Sequence, residues 1–334
     1  MKILLGFYYG IGDFVSVIPV VRELVKKYNI TVAIGEQNKG IVKLLDIPET
    51  VNIVYFPLFS LRNIPKIKVF TSLLKYERFD TVLVSPHAQD AVTSWKIPLM
   101  LKYIASKHTK IIGSDGDKNA FLYDIKIPID KSIPLMQREI DFIQLTRLIN
   151  LNSYIDTSNI FKVTKKQATN KIVIHPGASK PLKAWRLQEY INLVELITSK
   201  TNNTILFIGL ENELEELKKT LFNYDKITFF SGSFQEVIEQ TLDAKAIITM
   251  DSGFGHIASS LGLNHYVLIG SANPNYIKPI FKNTTVIYQK KLSCQPCNGH
   301  HCKIGYNYCM DLITADYLFE QIQKEINNET NNTK

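Results

Sequence analysis

The 334-residue sequence predicts an α/β protein built from two successive doubly wound units, and three observations carry that prediction. Short β-rich runs alternate with helical apolar spacing along most of the chain, a pattern that gives a parallel sheet covered on both faces. The alternation breaks once, in a polar stretch around Asn150–Asn170, and then restarts. With 45% hydrophobic and 21% charged residues, the chain is long and apolar enough for two ordinary cores.

In the first unit, residues 1–165, Lys2–Tyr8 reads as an apolar strand followed by the glycine-containing loop Tyr9–Asp13. Val15–Tyr28 then sets Val17, Val20, Val21, Leu24 and Val25 at helical spacing. Thr31–Ile34, Val51–Phe56, Thr81–Ser85 and Lys110–Gly113 read as further strands separated by helical stretches. The second unit, residues 166–326, repeats the theme. Its strands are Lys171–His175, Thr204–Ile208, Ala246–Met250 and His265–Ile269, and its helices Leu187–Thr198, Asn212–Phe222, Gly255–Leu261 and one near Ala315–Ile326. The polar tail 327–334 is expected to be disordered. Two such units in series imply a cleft between them, where open α/β sheets bind ligands.

No apolar run reaches the roughly 18 residues needed to span a bilayer. Lys2 followed by Ile3-Leu4-Leu5 has the look of a secretion signal, but Asp13 interrupts the run and no small-residue cleavage pattern follows, so a cytoplasmic protein is expected. The net charge of +8 is uneven: residues 1–165 hold 22 Lys and Arg against 15 Asp and Glu. A basic first half suits an anionic partner such as a phosphorylated lipid or a membrane surface, and equally a lysine-rich solvated face. Compact Arg-rich stretches with interleaved aromatics are missing, which argues against nucleic acid as a partner. All four cysteines, Cys294, Cys297, Cys302 and Cys309, lie in one C-x2-C-x4-C-x6-C segment. Four thiols so close suit a structural tetrahedral metal, zinc or iron, with His300 and His301 as substitute ligands.

Three stretches carry chemistry. In Met250-Asp251-Ser252-Gly253-Phe254-Gly255-His256 a buried strand ends in an acidic turn and feeds a helix. The N–H groups and dipole of a helix N-terminus favour an anion, and Gly253 and Gly255 let a phosphate approach the backbone. His256 would add a donor, and Asp251 could accept from sugar hydroxyls. Capping by Asp251 and Ser252 accounts for one of them, but not for the histidine and both glycines together. The second stretch, His175-Pro176-Gly177-Ala178-Ser179-Lys180-Pro181-Leu182-Lys183-Ala184-Trp185, also follows a strand and precedes a helix. Lys183 there would neutralise charge on a leaving diphosphate without a divalent metal, or else is a surface lysine. In the third, Gly10-Ile11-Gly12-Asp13, the carboxylate is either a general base or a helix cap.

Together these stretches resemble glycosyltransferase family 9, the ADP-heptose:lipopolysaccharide heptosyltransferases. Gly12-Asp13 with Pro19 is similar to the family's opening G-D…P, and His175-Pro176-Gly177-Ala178-Ser179…Lys183-Ala184-Trp185 to its H-P-G-A-S…K-x-W. Asp251-Ser252-Gly253-Phe254-Gly255-His256 with Ala258, Leu261 and Gly262 resembles D-S-G-x-x-H-x-A-x-x-L-G. The Gly270…Pro274 turn and the closing cysteine segment with Cys309-Met310 are similar as well.

The resemblance implies a GT-B fold of two Rossmann-like domains, the first holding the acceptor and the second the nucleotide-sugar donor. It implies inverting transfer, with no cofactor required for catalysis. Asp13 becomes the general base and Lys183 the diphosphate-binding cation. His175, Gly177, Ser179, Ser252, Gly253 and His256 become donor contacts, Asp251 a donor-sugar contact, and Gly232–Ser233 the adenine's neighbours. The implied partners are ADP-heptose, a lipid-linked envelope glycan and the anionic inner membrane at its cytoplasmic side. Two departures stand out: Met250 replaces an asparagine or small residue, and Gly6-Phe7-Tyr8-Tyr9 replaces a basic or small polar residue before Gly12-Asp13. An aromatic rim of Tyr8 and Tyr9 would suit stacking on a sugar face and opens the acceptor to a different glycan or a glycoprotein. A nucleotide-sugar epimerase or hydrolase would instead want extra carboxylates near the donor, for which Glu211, Glu213, Glu215 and Glu216 offer only what reads as a solvated face. A non-catalytic sugar-nucleotide-binding module is the third reading.

Overall fold

The computed structural model describes the chain apart from residues 9, 58–60, 87–95, 118–119, 131, 150–154, 179, 278–282, 298–301 and 328–334. Its contacts divide into two compact units, Met1–Lys162 and Val163–Lys334.

The first unit contains one six-stranded parallel sheet. Its strands are β1 (Lys2–Tyr8), β2 (Asn29–Gly35), β3 (Asn52–Phe56), β4 (Thr81–Val84), β5 (Lys110–Ser114) and β6 (Ile125–Ile127), in the order β3-β2-β1-β4-β5-β6. Helices α1 (Ile11–Leu24), α2 (Ile64–Glu77), α3 (Lys96–Ile104) and α4 (Leu135–Leu145) accompany it. Central strands buried on both faces read as continuous apolar runs, and β1 with Ile3, Leu4 and Leu5 fully buried does so. Pro19 lies inside α1, which begins at Ile11, four residues before the helical spacing becomes evident at Val15.

The second unit repeats the architecture. Strands β7 (Lys171–His175), β8 (Thr204–Ile208), β9 (Ile227–Phe230), β10 (Ala246–Met250), β11 (His265–Ile269) and β12 (Thr284–Tyr288) run parallel in the order β12-β11-β10-β7-β8-β9. The register pairs Thr249 of β10 with His175 of β7, and Met250 of β10 with Leu268 of β11. Helices α5 (Leu187–Lys200), α6 (Glu211–Leu221), α7 (Phe234–Thr241), α8 (Gly253–Ser260) and α9 (Ala315–Asn327) complete it. The closing helix packs Leu318, Phe319, Ile322 and Ile326 into one core with Tyr190, Leu193, Val194 and Ile197 of α5. Asn327, expected in the tail, ends that helix, and the rest of the tail lies outside the described residues.

Strands β6, β9 and β12 are absent from the sequence reading; each is a short edge strand with part of its surface facing water, whereas edge strand β3 is present in it as Val51–Phe56. Among the described residues no helix is long and apolar enough to cross a membrane.

Candidate functional site

In the second sheet the strand order runs outward in both directions from the neighbours β7 and β10. At such a switch point the loops after the two strands diverge and leave a crevice at their carboxyl ends. All five residues of β10 are buried, and the strand delivers Asp251, itself 8% exposed, to that edge. Ser252 is the N-cap of α8 and its hydroxyl accepts from the Gly255 N–H at 3.4 Å, so capping is its local duty. Gly253 opens the helix, where first-turn N–H groups favour an anion.

Opposite, the loop after β7 brings Lys183 in on a short 3-10 turn, Pro181–Lys183. Its Nζ lies 2.5 Å from Asp251 Oδ2, both side chains being largely shielded from solvent. The His175 ring stacks on Phe254 of α8, centroids 4.8 Å apart and planes 22° from parallel. Burial pushes the His175 imidazole down to about 4, with Glu213 pulling the other way, so it is neutral at physiological pH. Its Nδ1 has no hydrogen-bond partner among the described residues. His256 is likewise lowered by burial, with Asp251 opposing and Lys183 reinforcing. Gly177 is a glycine for lack of room, because a Cβ there would sit 2.5 Å from Glu213 Oε1 and 2.6 Å from His175 Cε1. Ser179 lies outside the described residues.

The structure departs from the sequence reading at Glu213 and adds local detail at Gly232, Ser233 and His265. Glu213 does not belong to a solvated face: it is half-buried beside the His175–Gly177 turn and accepts from the Leu210 N–H at 2.9 Å. Gly232 and Ser233 are exposed after edge strand β9, and Ser233 caps α7 in a reciprocal box with Glu236. His265, not singled out in the sequence, is fully buried and pushed down to about 3 by desolvation, with His256 adding to the effect. It bridges Thr249 at 2.8 Å and Thr284 at 3.3 Å, and Thr284 meets Ser259 of α8 at 2.8 Å. This polar chain ties the helix bearing His256 to three strands beneath it.

In the first unit the equivalent switch point lies between β1 and β4. Asp13 stands in the first turn of α1, half-buried, and its Oδ2 accepts from the Gly10 N–H at 3.2 Å. Of the two sequence alternatives the helix cap is the one observed, and the carboxylate stands in the first turn after β1. Gly10 leaves space for it, since a Cβ would come within 2.7 Å of Asp13 Oδ2. Gly12 is buried within the same turn.

Tyr8 does not form the expected aromatic rim. It is 1% exposed, packs against Phe14 with centroids 6.1 Å apart, and donates its hydroxyl to Glu139 Oε2 at 3.4 Å. A buried phenol needs a partner, and Glu139 of α4 supplies one. Tyr9 lies outside the described residues. Glu139 is fully buried and also receives the Ser85 hydroxyl. Burial raises its carboxyl to about 8; the nearby Asp13 charge adds to this, and hydrogen bonds from Ser85 and Tyr8 and the Arg138 charge oppose it.

Among the described residues the expected tetrahedral metal site is not found. Cys294, Cys297, Cys302 and Cys309 line one small cavity with Leu182, Gln295 and Tyr306. Yet no group of three or more His, Cys, Asp or Glu among the described residues is arranged to hold a metal ion. The Cys302 thiol donates to the Tyr306 carbonyl at 2.7 Å, and burial keeps the Cys309 thiol protonated up to about 11. His300 and His301 lie outside the described residues.

Residues 68–307 match the family model of glycosyltransferase family 9 (heptosyltransferase). The chain belongs to that family. Among curated family 9 relatives, lipooligosaccharide heptosyltransferase 2 of Haemophilus ducreyi is 24% identical over 172 residues, 49% of each chain. The chain thus spans about half the length of the curated relatives it matches. Escherichia coli heptosyltransferase WaaC solved with ADP superposes with TM-score 0.74 at 16% identity, covering 97% of this chain and 100% of that one. The same enzyme with ADP-2-deoxy-2-fluoro heptose gives 0.73 at 16% identity, covering 97% and 99%. The two parallel six-stranded sheets are those of the GT-B fold. The family 9 match includes both second-unit loops and Cys294, Cys297 and Cys302; Asp13 precedes it and Cys309 follows it.

Proposed function

We propose that this chain is an inverting, metal-independent heptosyltransferase that moves a heptosyl group from ADP-heptose onto a lipooligosaccharide or related envelope glycan. The observation that carries the reading is the Lys183–Asp251 pair, 2.5 Å apart, two residues before the N-terminus of α8. A cation, an anion-favouring helix start and a carboxylate meet there, which are the groups a sugar diphosphate needs. Support also comes from the relatives, one named a lipooligosaccharide heptosyltransferase and one solved with ADP.

The second unit holds the donor. Gly253 and neighbouring N–H groups, Ser252 and the neutral His256 and His175 donate to phosphate oxygens, Asp251 accepts from sugar hydroxyls, and the adenine lies near Gly232–Ser233. Gly177 and Ser179 complete the donor contacts. The first unit holds the acceptor around Gly12 and supplies the base. An acceptor hydroxyl attacks the anomeric carbon from the face opposite the diphosphate, and its proton passes to the Asp13 carboxylate. The bond from the anomeric carbon to the β-phosphate oxygen breaks, and ADP leaves with that electron pair. Lys183 and the start of α8 balance the charge that gathers on the departing diphosphate. The work is cytoplasmic, at an anionic membrane: α2 exposes Val69, Leu73 and Tyr76 along one stripe, with Lys66, Lys68 and Lys75 on the same helix.

The test incubates the full chain with ADP-heptose and heptose-deficient lipooligosaccharide and follows the acceptor by mass spectrometry. One added heptosyl unit is expected, with Asp13→Asn abolishing transfer while ADP still binds in calorimetry. Release of free heptose at a rate indifferent to acceptor would replace the reading with a hydrolase, and an active Asp13→Asn would remove Asp13 from the chemistry.

A further inference from the structure

Among its described residues the cysteine segment shows no metal-binding group, and the residues that follow its third cysteine hold the loop that carries Lys183. Asn307 begins the short helix Tyr308–Asp311 but makes no side-chain cap there, although asparagine is a favoured cap. Its amide instead crosses to the Lys183 loop. Nδ2 donates to the Pro181 carbonyl at 3.3 Å and to the Ala184 carbonyl at 3.1 Å, one on either side of Leu182 and Lys183.

Neighbouring contacts act in the same direction. Arg186 Nε donates to the Tyr306 hydroxyl at 2.7 Å, the guanidinium lies 4.7 Å from that ring's centroid, and it pairs with Asp311 at 2.5 Å. Trp185 is buried and gives its indole N–H to the Ile313 carbonyl at 2.6 Å. Leu182, the residue before Lys183, forms part of the wall of the thiol-lined cavity. Within the loop the only described backbone support is local: Lys183 N–H to the Lys180 carbonyl at 2.9 Å and Ala184 N–H to the Pro181 carbonyl at 3.1 Å.

We propose that the segment Tyr306–Ile313 is a brace that sets the Lys183 loop, with Asn307 as its positioning residue. The inference rests on the donor-site reading of Lys183. A two-pronged amide fixes both ends of a tight turn, so the lysine meets its anion without first ordering its backbone; preorganisation of that kind shows in affinity.

The test measures ADP binding by calorimetry on the full chain for wild type, Asn307→Ala, Lys183→Ala and the double variant, with amide exchange of Lys183 and Ala184 read alongside. Asn307→Ala is expected to weaken ADP binding three- to tenfold, to speed exchange at both amides about tenfold, and to cost nothing further in the Lys183→Ala background. An equal loss in both backgrounds would mean general damage and overturns the brace, as does unchanged exchange at the two amides. If Asn307→Ala loses its melting transition, Tyr306→Phe, which deletes only the hydroxyl facing Arg186, is held to the same criteria at a smaller scale. Unaltered ADP affinity in Lys183→Ala sinks the donor reading instead; the exchange rates still decide whether the brace holds the loop.

Discussion

Glu139→Gln is expected to stabilise the protein at neutral pH and to leave it unchanged in acid. The carboxyl is fully buried against Tyr8 and Ser85, and its proton is held up to about 8 in the folded chain against an ordinary 4.5. Between those values the folded state keeps a proton that the unfolded state has released, so stability falls as pH rises. Below about 4.5 both states are protonated and nothing is lost. At pH 7 the difference is about 3 kcal/mol, from roughly 1.4 kcal/mol for each pH unit above 4.5, and it approaches about 5 kcal/mol beyond pH 8. Glutamine is neutral throughout and keeps the shape and a donor, so it escapes this loss. Urea titrations of both proteins at half-unit steps from pH 4.5 to 8.5 would read it directly. A stability difference that stays constant across that range would refute the argument, because only a proton held in the fold makes it grow.

Two further outcomes are expected. Because burial holds His256 neutral, His256→Gln should retain most ADP affinity near pH 7 whereas His256→Leu loses it; if both variants lose it equally, hydrogen-bond donation is not what the residue supplies. Trp185→Phe should cost about 1–2 kcal/mol by leaving the buried Ile313 carbonyl without its 2.6 Å donor, and a melting temperature equal to wild type would argue that water takes the indole's place.

Much of the fold was legible because buried parallel strands are continuous apolar runs. Lys171–His175 and Ala246–Met250 emerged with the boundaries found in the structure, since both lie at the centre of their sheet. Strands β6, β9 and β12 were not legible: β6 is three residues long with Ile125 and Lys126 exposed, and β9 and β12 mix buried and exposed positions over four or five residues. Asp251 and Lys183 lie in loops following strands, and the structure brings them within 2.5 Å of each other; the spacing alone left Lys183 open to a surface role. Glu139 and His265 were not legible. Each is made significant by distant partners, Tyr8 and Ser85 in one case, Thr249 and Thr284 in the other, and no local pattern encodes a contact across a sheet. The Tyr8 ring misled for the same reason: a tyrosine at a strand end looks like a rim until its buried acceptor is known.

On the proposed donor reading, the Lys183–Asp251 contact bears on which anions bind there. Before any ligand arrives the lysine already has a counter-charge, so the site is electrically self-satisfied and exerts little pull on passing ions. An incoming group must outcompete a carboxylate 2.5 Å away, and must offer Asp251 hydrogen-bond donors in return. Inorganic phosphate brings too little charge and too few hydroxyl donors to do both. A sugar diphosphate brings several negative oxygens for the lysine and a row of hydroxyls for the aspartate. On that reading, the pair favours a ligand carrying both negative oxygens and hydroxyls over a simple phosphate.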